Sequence, residues 1–243
     1  MMYKKHIPNF VTCLNLISGC LSVIMAFNAH LVISAYLIVL ASFFDLADGL
    51  LARLLNAKSD FGKQLDSLAD IVSFGIAPGI IMFQLISKSS GLPALYVLNT
   101  NLISYIAIII PLFSALRLAK FNIDDNQKDS FIGRPTPASA IFIASLPIII
   151  YAQNTSDCIL NFIYNPYFLI IITIVLSYLL ISPLPLFSFK FKNLKWTENK
   201  IRYIFLTISV ILFLLFYFIA IPFIIILYII LSITENLIKT KKT

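Results

Sequence analysis

Charge is scarce in this sequence. Asp, Glu, Lys and Arg make up only 12% of its 243 residues, where soluble domains carry about 25%. With 60% hydrophobic residues and a mean hydropathy of +0.94, the chain cannot be solvated as a water-soluble globule. The bilayer is its default solvent. Histidine is nearly absent as well. His6 and His30 are isolated, which argues against histidine-based metal binding and against a Ser-His-Asp arrangement. Cysteine is equally sparse. Cys13, Cys20 and Cys158 form no CxxC pair and have no His-rich neighbour, so they read as small buried hydrophobes, not as a disulfide or zinc framework. No cleavable signal peptide is expected, because the first apolar run leads directly into further spans. There is no internal repeat. The whole chain, 1–243, reads as one integral-membrane helical domain.

What the sequence has in abundance is apolar runs. A spanning helix needs about 20 mostly apolar residues. Eight runs qualify, near 11–28, 32–51, 66–87, 97–119, 136–153, 164–182, 202–219 and 222–238. The predicted fold class is therefore all-α, a polytopic bundle of about eight transmembrane helices. The last two runs come from one long stretch divided at Ala220-Ile221-Pro222, since proline restricts the residue before it and often ends a helix. A single long, kinked helix is the competing reading.

The basic residues then orient the bundle. Lys4 and Lys5 precede the first run. Arg53, Lys58 and Lys63 follow the second, and Arg117, Lys120, Lys128 and Arg134 follow the fourth. Lys190, Lys192, Lys195, Lys200 and Arg202 follow the sixth, and Lys239, Lys241 and Lys242 end the chain. Of the 18 Lys and Arg residues, only Lys88 falls on the other side. The positive-inside rule places both termini and these loops in the cytoplasm, at the cell (inner) membrane. The net charge of +7 is thus first a matter of topology, with membrane lipids as secondary partners. Nucleic acid is not an expected partner, because the charges are divided among short loops.

The informative stretch runs from Asp45 to Asp70, DLADGLLARLLNAKSDFGKQLDSLAD. Asp45 and Asp48 are three apart, and Asp66 and Asp70 are four apart. Each spacing puts a pair on one helix face. The two helices are antiparallel neighbours, so the pairs can face each other at one depth. A lone Asp at a helix end is usually a cap. Four in this arrangement are costly in an apolar chain unless cations compensate them. All-oxygen ligands favour Mg²⁺ or Mn²⁺ over zinc, and four acids suit two ions about 3.5–4 Å apart that clamp a phosphate. Gly49 and Ala52 leave room for a ligand or another backbone, and Gly62 clears space above Asp66. Arg53 suits a pair of phosphate oxygens. Ser59 and Asp60 are candidate N-caps of the next helix.

These residues resemble a known signature. Asp48-Gly49-x2-Ala52-Arg53-x8-Gly62-x3-Asp66-x3-Asp70, extended by Asp45, is similar to that of the CDP-alcohol phosphatidyltransferases. Within that family, IPNFVTCLNLISG, FGKQLDSLADIVSFGIAPG, RLAKFN and FIGRPTPASA resemble the membrane-embedded bacterial phosphatidylserine synthases, over roughly residues 7–140. The resemblance implies transfer of a phosphatidyl group from CDP-diacylglycerol to L-serine with release of CMP. It also implies two Mg²⁺ or Mn²⁺ per site and a homodimer. Asp45, Asp48 and Asp66 would hold the first ion, Asp66 and Asp70 would contribute to the second, and Asp70 would be the general base. The CDP-lipid would meet Asn9, Thr12, Gly49, Ala52, Arg53, Ser59 and Gly62. The serine carboxylate needs a cation, for which Arg117, Lys120 and Arg134 are the candidates. Another acceptor alcohol, glycerol phosphate or an inositol phosphate, is the nearer rival. A transporter with intramembrane acids is the further one.

Overall fold

The helical segment that carries Asp66 and Asp70 is the most buried of the long helices. In Asp60–Lys88, 67% of the most apolar stretch is buried, against 28% to 39% for His6–Phe27, Leu31–Leu54 and Leu102–Ile123. The computed structural model describes residues 3–93, 95–97, 100–123, 136–152, 156–182 and 196–240. Arg134 lies outside the described residues.

The central segment has three parts: α3 (Asp60–Asp70), a π-helical turn (Ile71–Ile76) and α4 (Ala77–Lys88). Pro78 accounts for the change of twist. It has no N–H to return to the carbonyl four residues back, and the Ala77 N–H bonds instead to Val72 O, five residues back. The widened turn follows Asp70 directly. It brings Ser73 against α1 (Tyr3–Phe27), where Ser73 Oγ donates to the Asn15 carbonyl at 3.0 Å. Gly19 permits the approach, since a Cβ there would collide with Ser73 Oγ and stand 2.9 Å from its Cα.

Three helices fix the surroundings. α1 runs parallel to the central segment, with contacts Asn9 to Gly62, Asn15 to Asp70 and Gly19 to Ser73 in one register. α2 (Leu31–Leu54) returns antiparallel to α1, tied by Thr12 to Asp48 and by Ser22 to Ser34. α5 (Ile109–Ile123) follows a 3-10 stretch, Leu102–Ile108, and is antiparallel to the central segment. There the Phe83 and Tyr105 rings pack edge to face, Gly79 meets the Pro111 ring, Gly75 meets Ser114, and Lys63 Nζ donates to Asn122 O. α6 (Thr136–Ile150) packs on α2. α7 (Asp157–Ile163) and α8 (Pro166–Ile181) meet at a 58° bend. The apolar core joins Leu31 and Ile38 to Phe74, Ile81, Met82 and Leu85 and to Ile143 and Ile149.

The spans are helical as expected, but their limits differ. The fourth starts at Leu102, not near 97. A small antiparallel hairpin, β1 (Tyr96–Val97) and β2 (Thr100–Asn101), precedes it. Asn101 ends the hairpin and caps the helix, its Oδ1 accepting from the Ile103 N–H at 3.0 Å. The sixth matches α8, whose start Asn165 caps before Pro166. By length and hydropathy five helical segments of the described residues suit a membrane, or six with the bent pair as one span. Asn199–Glu235 counts there as one segment of 37 residues, which as a straight helix would be about 55 Å long, well beyond the roughly 30 Å hydrocarbon core. It folds back instead. α9 (Trp196–Phe216) and α10 (Ala220–Thr240) turn at Tyr217, whose φ is 48°, and the Phe205 and Tyr228 rings meet at 5.7 Å. The break precedes the expected one at Ala220-Ile221-Pro222 because Pro222 falls in the first turn of α10, where its N–H is not needed. The thiols also differ from expectation. Cys20 and Cys158 are exposed and Cys13 is half-buried. In a bilayer an apolar side chain can face lipid instead of the core.

Candidate active site

Two helix ends create the site. α2 stops in a Schellman arrangement: Asn56 takes a left-handed φ of 50°, its N–H bonds to Arg53 O at 3.2 Å, and the Ala57 N–H bonds to Ala52 O at 2.9 Å. Three residues later α3 begins. Ser59, not Asp60, is its N-cap, with Ser59 Oγ accepting from the Gly62 N–H at 3.1 Å. Asp60 opens the first turn, where the helix dipole favours an acid.

This short connection brings the acids together. Asp45, Asp48 and Asp66 each place an oxygen within 4.8 Å of the other two. At an effective dielectric near 20, each ionised pair at that distance repels by about 3 kcal/mol or more. Thr12 relieves one carboxylate by donating to Asp48 Oδ2 at 2.6 Å. Asp66 Oδ1 is buried and has no hydrogen-bond partner among the described residues. Three converging carboxylates, one with an orphaned oxygen, are a donor set suited to a hard divalent cation. Asp70 lies one turn further along α3, outside that group of three. It is buried at 6% exposure and accepts from Asn15 Nδ2 at 3.2 Å. Its hydrogen-bond donor is on α1, whereas the neighbour of Asp66 in the triad is α2.

Beside the triad lies a cavity of about 740 Å³, within the usual range for small-molecule sites. All seven residues expected to meet a nucleotide line it: Asn9, Thr12, Gly49, Ala52, Arg53, Ser59 and Gly62. Asp48 and Asp66 line it too, and Arg53, Lys58 and Lys63 add three exposed cations. The two glycines do different work. A Cβ on Gly49 would meet nothing within 4 Å, so its face is open cavity; one on Gly62 would press on Asn9 Oδ1 at 3.1 Å.

The profile of the CDP-alcohol phosphatidyltransferase family matches residues 5–179. The chain belongs to that family. It is 31% identical over 231 residues to the CDP-diacylglycerol–serine O-phosphatidyltransferase of Helicobacter pylori strain J99, covering 84% of this chain and 93% of the relative. It is 36% identical over 189 residues to the enzyme of the same name from Bacillus subtilis strain 168, covering 76% and 92%. Over 142 residues it is 34% identical to the archaetidylserine synthase of Methanothermobacter thermautotrophicus, covering 57% and 56%.

In this CDP-alcohol phosphatidyltransferase the three candidate acceptor cations part company. Arg117 is half-buried, exerts a coulombic pull on Asp45 and Asp70, and donates from Nη1 to Thr136 Oγ1 at 2.9 Å. Its Nε is buried without a partner among the described residues. Lys120 is exposed at the end of α5 and does not line the cavity. Four features were not singled out in advance. Phe121 and Lys63 line the cavity, with Lys63 Nζ 5.9 Å from the ring centroid. Asn122 Nδ2 donates to Ser67 Oγ at 2.9 Å, clamping α5 to α3. Asn15 carries Asp70. An intramembrane asparagine three residues after Thr12 was the available signal.

Proposed function

We propose that this enzyme transfers the phosphatidyl group of CDP-diacylglycerol to L-serine, giving phosphatidylserine and CMP. The observation that carries this reading is the 740 Å³ cavity, whose lining joins Arg53, Lys58 and Lys63 to Asp48 and Asp66 of the acid triad. Those cations and acids suit a nucleotide diphosphate bound with divalent metal. The names of the Helicobacter and Bacillus relatives supply the lipid and the acceptor.

Asp45, Asp48 and Asp66 would hold one Mg²⁺ or Mn²⁺, and Asp66 with Asp70 a second. When bound, these ions neutralise charge on the diphosphate and on the leaving phosphate. Asn9, Thr12, Gly49, Ala52, Ser59 and Gly62 shape the nucleotide side, and Arg53 binds phosphate oxygen. Asp70 takes the proton of the serine hydroxyl. The serine oxygen forms a bond to the lipid-linked phosphorus, the bond from phosphorus to the CMP oxygen breaks, and CMP leaves. Arg117 pairs with the serine carboxylate, with Lys120 and Arg134 as further basic residues of that loop. The chain acts as a single eight-span domain of the inner membrane, with termini and site cytoplasmic, and as a homodimer.

The test uses the purified chain and CDP-diacylglycerol labelled in the cytidine. CMP release that requires L-serine is expected. Release driven by glycerol phosphate or an inositol phosphate would overturn the acceptor, and no release with any alcohol would overturn the transfer.

A further inference from the structure

Asn15 sits on α1 at 0% exposure, and every part of its side chain is inside the protein. A carboxylate only accepts, so the bond to Asp70 Oδ1 fixes the amide with Nδ2 towards Asp70 and Oδ1 on the opposite side. That Oδ1 is buried and has no partner among the described residues. The backbone that carries it is held in place. Ser73 Oγ grips its carbonyl, and the Gly19 contact keeps α1 against the π-turn. A buried acceptor therefore stands next to the proposed base. Arg117 lies on the same side of the Gly75 contact as Asp70. Gly75 meets Ser114 across antiparallel helices, so moving from Gly75 back to Asp70 and from Ser114 on to Arg117 runs in the same direction.

We propose that Asn15 is a specificity residue for an amino-acid acceptor, its Oδ1 accepting an N–H from the α-ammonium while its Nδ2 holds Asp70. This rests on the serine reading above. The three polar groups of the acceptor then meet three different partners: hydroxyl to Asp70, carboxylate to Arg117, ammonium to Asn15 Oδ1. The ammonium and hydroxyl sit on adjacent carbons, which matches an amide whose two ends serve the acceptor and its base. A site built to bond an N–H rejects an analogue that lacks it, because the buried partner is left unsatisfied.

The experiment compares L-serine with 3-hydroxypropanoate, which keeps the hydroxyl and carboxylate and lacks the ammonium. It uses the full-length enzyme and its Asn15→Leu and Asn15→Ser variants in detergent, reading CMP release. The wild type is expected to prefer L-serine in kcat/KM by about 100-fold or more. Each variant should lose about tenfold or more of that preference and show a raised KM for serine, with the KM for CDP-diacylglycerol within about twofold. A preference unchanged in a variant that still turns over, with kcat lowered equally for both acceptors, would show that Asn15 only positions Asp70 and would overturn the proposal. A wild type indifferent to the ammonium would overturn it without any variant. If wild-type enzyme releases no CMP with serine, it is the parent reading that fails. Asn15→Ser keeps a hydroxyl at the position and serves where Asn15→Leu does not assemble.

Discussion

Asp66 and Asp70 are four residues apart on one helix, yet their surroundings differ. Asp66 faces Asp45 and Asp48 and keeps an oxygen without a donor, whereas Asp70 is held by an amide from α1. Replacing Asp70 by Asn keeps size and the contact with Asn15 but removes the proton acceptor. Turnover should fall about 10²–10⁴-fold, while CMP still protects the enzyme from thermal unfolding. Near-normal turnover would remove Asp70 from the base role. Thr12 acts through Asp48, to which it donates at 2.6 Å. Thr12→Val should raise the metal concentration for half-maximal activity about 10–100-fold, measured by titrating Mg²⁺ and Mn²⁺ into chelator-treated enzyme. The same half-saturation point in both forms would make Thr12 a purely structural residue.

Among the elements, the α1–α3 contact shows why small residues are placed where they are. Gly19 faces Ser73 with no room for a methyl group, and Gly49 faces open cavity. Gly19→Ala must separate α1 from the π-turn, at a cost of about 1–3 kcal/mol, and should lower the Tm in detergent. Gly49→Ala should leave the Tm unchanged and raise the KM for CDP-diacylglycerol. Reversed outcomes would mean that Gly49 is the packing glycine and Gly19 is not. The π-turn matters in the same way. Pro78 removes a hydrogen bond, the backbone re-registers by one residue, and Ser73 reaches the Asn15 carbonyl. A regular α-helix through Ile71–Ile76 would point Ser73 elsewhere and leave α1 without its anchor.

For the molecule as a whole, the distribution of basic residues and the folding back of α9 on α10 bear on topology. If the loops carrying all but one of the Lys and Arg residues are cytoplasmic, Ser90 and Lys58 lie on opposite sides. In a variant with Cys13, Cys20 and Cys158 replaced by Ser, a membrane-impermeant maleimide added to intact cells should label Ser90→Cys and spare Lys58→Cys until lysis. Labelling of Lys58→Cys in intact cells would invert the orientation and place the acid triad outside. Lipid-facing side chains such as Phe213, Leu214 and Leu215 give the α9–α10 hairpin its apolar surface.

Local patterns in the chain determine much of this protein. Apolar runs specify helices, because backbone bonds inside a bilayer have to close within the segment. Asp spacings of three and four specify shared faces, because helical period is a property of neighbours in sequence. The signature likewise marked out Asp48, Gly49, Ala52, Arg53, Gly62 and Asp66, which line one cavity. Asn15, the Gly19–Ser73 contact, the Asn122 clamp and the turn at Tyr217 were not legible in that way. Each depends on which helix lies beside which, and in what register. That is decided by side chains meeting across tens of residues, Asn15 and Asp70 being 55 apart. The acids of the site are thus visible in one continuous stretch, while the amide that hydrogen-bonds Asp70 comes from another helix and becomes visible only when the two pack.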